Sequence, residues 1–181
     1  MEQVEEKLRA LLKSRGVLEK AAEQHEAWTR SLETKYPKGP RGGLHPLLRD
    51  ARKIQEKIGR LGPDALADDM VPRFLYTAER WLQITDPDVI EEFPYLRYVC
   101  FHLPDSRPGH LEKHNLVLPI GHRFWDIWYP PNGAGCKCGT MSVSESHLKR
   151  EGWRVSGDAI FEHEMPDRGF EFNVGKLLSL G

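Results

Sequence analysis

The chain has 181 residues, of which 39% are hydrophobic and 29% charged, with a formal net charge of -1. That length suits one core with a helical extension, and the apolar fraction excludes a disordered tail. No run approaches the ~18 apolar residues that span a bilayer, and the opening Met-Glu-Gln-Val-Glu-Glu is no signal peptide, so the expectation is no membrane step and residence in the cytoplasm of the producing cell.

The charge is unevenly spread: residues 1–63 hold 14 Lys or Arg against 9 Asp or Glu, net +5, and residues 64–181 hold 12 against 18, net -6. Such a basic first part either solvates helix faces or lies on an acidic partner or DNA. Cys100, Cys136 and Cys138 are too few for a disulfide framework and are expected to be reduced.

In chain order, Val4, Leu8, Leu11, Leu18, Ala22, His25, Trp28 and Leu32 recur at helical spacing, predicting one long amphipathic helix over residues 3–34 with a weak point at Gly16. Its stripe is long for its neighbour and is expected to dock a partner. Residues 36–43, Tyr-Pro-Lys-Gly-Pro-Arg-Gly-Gly, read as a linker, and Leu44 to Leu61 as a second helix stopped by Gly62-Pro63.

From Asp64 the composition turns aromatic, with every Phe at or after Phe74. Residues 74–84 read as a helix, and Thr85-Asp86-Pro87 opens a short one. Tyr95 to His102, Leu116 to Ile120 and Cys138 to Val143 read as strands, Ser144 to Arg150 as a helix with a partial capping signal ended by Gly152, and Gly169 to Gly175 as a short closing strand. The expected fold is α+β: an amino-terminal helical arm, residues 1–63, then a small mixed domain, residues 64–181, with a short antiparallel sheet and flanking helices.

The ordered segments Pro94-Tyr95 through Pro108-Gly109-His110, Leu118 through Tyr129-Pro130-Pro131-Asn132-Gly133 to Cys136-Lys137-Cys138, and Pro166 through Gly169-Phe170 to Asn173-Val174-Gly175 resemble the carboxy-terminal domain of phage Mu F-like head morphogenesis proteins. The resemblance covers roughly residues 74–176. It departs in the short Ser106–Gly109 loop and in having only about 70 residues before the matching segment. What the resemblance implies is a minor capsid protein of a tailed phage or prophage, found in the virion head and in the host cytoplasm during assembly. The partners it implies are the portal protein, the major capsid protein or a scaffolding protein, with contact to packaged DNA in view. Domains similar to this family's also occur fused to toxins, which keeps a metal-dependent nuclease as an alternative, and the basic arm keeps a DNA-binding module as another.

The residues themselves add a candidate centre. The Pro-Pro-Asn-Gly reversal aims Cys136 and Cys138 at the next strand, where residues two apart share a face, so both thiols can serve Zn²⁺ with His110 and Asp105 from the preceding loop. Against this, a regular strand spaces such side chains ~6–7 Å apart, which leaves two buried thiols or a redox pair as alternatives. Asp105, Arg107 and His110 also suit a polar cluster closing the core. Trp125 and Trp128, three apart with only Arg123 nearby, read as core and not as a base-stacking platform. His102, His110, His114 and His122 lack the His-Glu-x-x-His spacing of a helical metal site, and neither phosphate-binding glycine motif occurs, so no catalytic residue is assigned.

Overall fold

The computed structural model describes residues 2–37, 43–101, 106–157 and 165–179. The chain divides into two compact units. The first holds residues 1–72 with 133–135 and 167–169, and the second holds 73–132, 136–166 and 170–181.

The first unit is helical. Helices α1 (Glu2–Ser14) and α2 (Val17–Lys35) replace the single helix expected over residues 3–34. Gly16 separates them in a left-handed conformation at φ 61°, which glycine adopts without steric cost. The buried residues are Leu8 and Leu12 in α1, and Val17, Leu18, Ala21, His25, Thr29 and Leu32 in α2. Leu12 is fully buried and Leu11 only half-buried. The predicted docking stripe is therefore satisfied inside the chain, Val4 alone of its members being substantially exposed.

Helix α3 (Pro46–Leu61) starts with Pro at its first position, where the missing N–H costs nothing, and stops at Gly62. Leu48 and Ala51 pack with Leu32 of α2, flanked by Trp28, Tyr36, Leu44 and Leu47. Of the Pro/Gly linker, residues 38–42 lie outside the described residues. A 3₁₀ turn (Pro63–Leu66) leads into helix α4 (Ala67–Ile84), which begins seven residues before the predicted start and carries Pro72 inside it. In α3 and the first turn of α4, Lys57 faces Asp68 and Asp69 at 3.5 and 3.7 Å.

The second unit is built on a sheet. After the short helix α5 (Pro87–Glu92), capped by the Asp86 carboxylate, come strands β1 (Tyr95–Val99), β2 (Val117–Pro119) and β3 (Gly139–Val143). Their order is β2-β1-β3, both pairings antiparallel, with Leu96 opposite Leu118 on one side and Ser142 on the other. All three strands are shorter than predicted, and His102 lies outside the described residues.

The central strand alternates, as a strand with unequal faces must. Leu96 and Tyr98 point into an aromatic core with Trp81, Ile84, Leu118, Phe124, Trp125, Trp128 and Tyr129. Both Trp125 and Trp128 are core residues, Trp125 donating its indole N–H to the Pro119 carbonyl at 2.9 Å. The other face carries a smaller cluster of Val117, Val143 and Leu148 with Tyr95 and Trp153, and the Arg97 guanidinium stacks 4.1 Å over Trp153.

Helices α6 (Pro108–Glu112), α7 (Phe124–Ile127), α8 (Glu145–Glu151) and α9 (Val174–Ser179) complete the unit. At α8 the partial capping signal is a full capping box: the Ser144 hydroxyl accepts from the His147 amide, and His147 Nδ1 accepts from the Ser144 amide. An imidazole acceptor does the work usually given to Glu.

The closing strand expected over residues 169–175 is absent, and the segment turns instead into α9. Asn173 accounts for the difference. Its amide donates to the Trp125 carbonyl at 2.9 Å, and its oxygen accepts from the Lys176 amide at 3.2 Å, which starts a helix. Gly175 of α9 lies against Trp81 so closely that a Cβ would stand 2.2 Å from the Trp81 Cβ.

Candidate metal centre

Three segments remote in sequence converge at one end of the sheet. Cys100 follows directly on β1, His110 sits in α6, and Cys136 and Cys138 lie in the irregular stretch just before β3. Because Cys136 and Cys138 precede the strand, the regular strand spacing that argued against a shared ligand does not apply to them. One ligand atom from each of His110, Cys136 and Cys138 lies within 4.8 Å of the others, and all three residues are buried. The His110 Nδ1 atom is 3.6 Å from the Cys136 sulfur and 3.7 Å from the Cys138 sulfur.

Cys100 joins from the side, its sulfur 3.3 Å from that of Cys138 and 2.9 Å from the His110 carbonyl oxygen. Its backbone is held as well, since the Cys100 amide donates to His114 Nδ1 at 3.1 Å. Burial, followed by the nearby Arg97 charge, holds the His114 imidazole below its ordinary pKa, which keeps that nitrogen an acceptor.

Around the cluster the backbone is fixed by buried polar groups. Asn132, fully buried after Pro130 and Pro131, donates to the Tyr98 hydroxyl at 2.8 Å and to the Trp128 carbonyl at 3.0 Å. It is thus more than a turn former, for it ties the reversal to β1. The His110 ring meets Trp128 edge to face at 6.0 Å.

Thiols so placed are poor acids. The hydrogen bond with Cys138, then burial, pushes the Cys136 thiol up to about 12. The bond with Cys100, then burial, pushes Cys138 to about 11. Cys100 shifts down, because its thiolate would accept from Cys138. Low dielectric and crowded sulfurs oppose negative charge unless a cation balances it.

Of the four residues singled out from the sequence, the fold brings His110, Cys136 and Cys138 together, and Asp105 lies outside the described residues. The proposed polar cluster of Asp105, Arg107 and His110 falls partly outside the described residues, since it includes Asp105; among the described residues the His110 Nδ1 atom faces the thiols, and Arg107 stands at the start of α6. Cys100 was passed over. The available signal was its place at the end of a predicted strand, in a chain whose other two cysteines already formed a candidate pair.

Fold and site together define an α+β protein with a helical segment and a buried centre of soft donors at the end of a small antiparallel sheet. No family model and no solved structure matches the chain. Among curated proteins it is 30% identical over 155 residues to protein F of Escherichia phage Mu, which bears a capsid-assembly name, covering 84% of this chain and 35% of protein F. It is also 30% identical over 102 residues to the FluMu F protein of a Mu-like prophage in Haemophilus influenzae, covering 56% of this chain and 24% of that protein.

The resemblance to Mu F-like proteins carried by the motif order is thereby shown. It is also wider than residues 74–176, since 155 aligned positions must reach into the helical first part. The chain spans about a third of the length of protein F and about a quarter of that of the FluMu protein.

Proposed function

We propose that the chain works in building the head of a tailed phage or prophage, as a minor capsid protein without turnover of its own. The likeness to protein F, running through most of the chain, carries this reading. Its place is then the virion head, reached from the host cytoplasm during assembly, and its partners are the portal first, then the major capsid or scaffolding protein. In this reading residues 1–63 are the arm and residues 64–181 the head-morphogenesis domain. No helix among the described residues is long and apolar enough to cross a membrane.

Among the described residues, at least four of the arm's fourteen cations are already neutralised within the chain, which favours assembly over DNA binding as the main role. Arg9 is paired with Glu5 and Asp68, Arg30 with Glu26, Arg52 with Glu33, and Lys57 with Asp68 and Asp69. Phosphate contact would have to break these pairs.

A partner surface is better supported on the second unit. A groove of about 390 Å³ there is lined by Arg73, Tyr76, Arg80, Phe101 and Lys137, with Tyr76 67% and Phe101 69% exposed and no carboxylate among the described residues of its wall. Exposed aromatics set among cations suit an acidic protein surface with an apolar centre.

The test is incorporation into particles. Tyr76→Glu with Phe101→Glu is expected to leave the melting temperature unchanged, to remove the protein from purified heads and to end its copurification with the portal. Heads that retain the variant at full copy number would remove this surface from the assembly role, and heads that never contain the unaltered protein would remove the role itself.

A further inference from the structure

We propose that Cys100, His110, Cys136 and Cys138 form a closed structural Zn²⁺ site, Cys100 taking the fourth position that sequence reasoning gave to Asp105. The inference stands on the cluster of His110, Cys136 and Cys138, whose ligand atoms lie within 4.8 Å of one another, and on the Cys100 sulfur 3.3 Å from that of Cys138; it does not depend on the assembly reading.

Bond lengths of about 2.3 Å to sulfur and about 2.0 Å to nitrogen around a tetrahedral ion place S and N ligands about 3.6 Å apart, and two sulfurs about 3.8 Å apart. The His110 Nδ1 separations of 3.6 and 3.7 Å from the two sulfurs already have that value. The Cys100 and Cys138 sulfurs, at 3.3 Å, need to part by only about half an ångström to reach it. A disulfide would require about 2.05 Å, far closer than they stand.

The chemistry of the donors selects the metal. Three thiols and one imidazole are soft to borderline ligands, suited to Zn²⁺ and unsuited to Mg²⁺ or Ca²⁺, which take oxygen. Four protein donors also leave no open position for substrate water, so the ion would hold structure and not activate a nucleophile. What it would hold is the end of β1, helix α6 and the entry to β3, segments joined through separations of 10 to 38 residues along the chain. Binding would convert the crowded neutral thiols into thiolates balanced by the ion, with release of their protons. The irregular backbone at residues 136–138, left without ladder partners, gains an anchor in this way.

The experiment is a Co²⁺ titration of the full chain, purified under reducing, metal-free conditions, followed by displacement with Zn²⁺. The expected result is one Co²⁺ per chain, intense visible ligand-field bands of a tetrahedral ion and a sulfur-to-cobalt charge-transfer band at the three-thiolate level, all lost on adding Zn²⁺, which binds such sites more tightly. Cys100→Ser is expected to keep the tetrahedral bands, drop the charge transfer to the two-thiolate level and weaken binding by about tenfold or more.

Absent or weak octahedral absorption in the unaltered chain would overturn the site, and this readout needs no variant to fold. Charge transfer unchanged in Cys100→Ser would remove Cys100 from the ligand set. A protein whose mass without reductant shows two hydrogens lost, and which takes up metal only after reduction, would make the cluster a disulfide site instead.

Discussion

The two compact units solve the same problem, burying enough apolar surface to stay folded, with different materials. The first uses small aliphatic side chains, Leu8, Leu12, Val17, Leu18, Ala21, Leu48 and Ala51, spread along helices at regular spacing. The second concentrates Trp81, Tyr98, Phe124, Trp125, Trp128 and Tyr129 around a three-stranded sheet too short to bury much by itself, and places its sulfurs and an imidazole among them. Regular helices distribute stability over many equivalent contacts, whereas a small sheet with irregular connections must rely on a few large side chains and on cross-links between distant segments. Damage should therefore be graded in the first unit and abrupt in the second.

The largest effect is expected at Trp125, fully buried and bonded to the Pro119 carbonyl. Trp125→Ala should cost about 3–5 kcal/mol, read as a large drop in the melting temperature of the second unit in calorimetry. A loss below ~1 kcal/mol would mean that the aromatic core is not the dominant support.

Next comes the phase of the first helix. Leu12→Ala should cost about 2–5 kcal/mol in urea unfolding and Leu11→Ala less than ~1 kcal/mol. Equal losses would restore Leu11 to the buried stripe read from the periodicity. The smallest effect is assigned to the capping box, where Ser144→Ala should lower stability by about 1 kcal/mol, read as a shift in the urea midpoint at unchanged slope. A neutral outcome would show that α8 is held by Leu148 packing alone.

This contrast also explains what the sequence made legible. Helix positions were readable wherever the apolar period was unbroken, as in α3, and the punctuation at Gly62-Pro63, Asp86-Pro87 and Gly152 fell where backbone chemistry required it. Beyond Gly16, Leu18, His25 and Leu32 are buried as the spacing predicted, whereas before it the buried member of the adjacent pair is Leu12 and not Leu11, a one-position choice that a stripe of adjacent leucines leaves open.

Residues 169–175 misled for a related reason. Alternating Phe and polar residues match a strand, but the Asn173 side chain supplies the hydrogen bonds that begin a helix, a tertiary choice that local alternation cannot disclose. At the candidate centre, the pair Cys136 and Cys138 announced itself by spacing. Cys100 did not, since its proximity to Cys138 exists only once β1 and β3 pair.

One contact has a consequence for how much variation the chain can absorb. Gly175 has room for hydrogen and nothing larger, because the Trp81 side chain fills the space where a Cβ would project. Gly59, in the arm's third helix, has open space on the same side. Two glycines that look alike on paper are thus opposite kinds of position: one is a vacant letter that any helix-forming residue can overwrite, while the other is spelled by its neighbour. Because the nearest atom is the Trp81 Cβ, which every residue but glycine carries, a lineage has no freedom at 175 whichever side chain stands at 81.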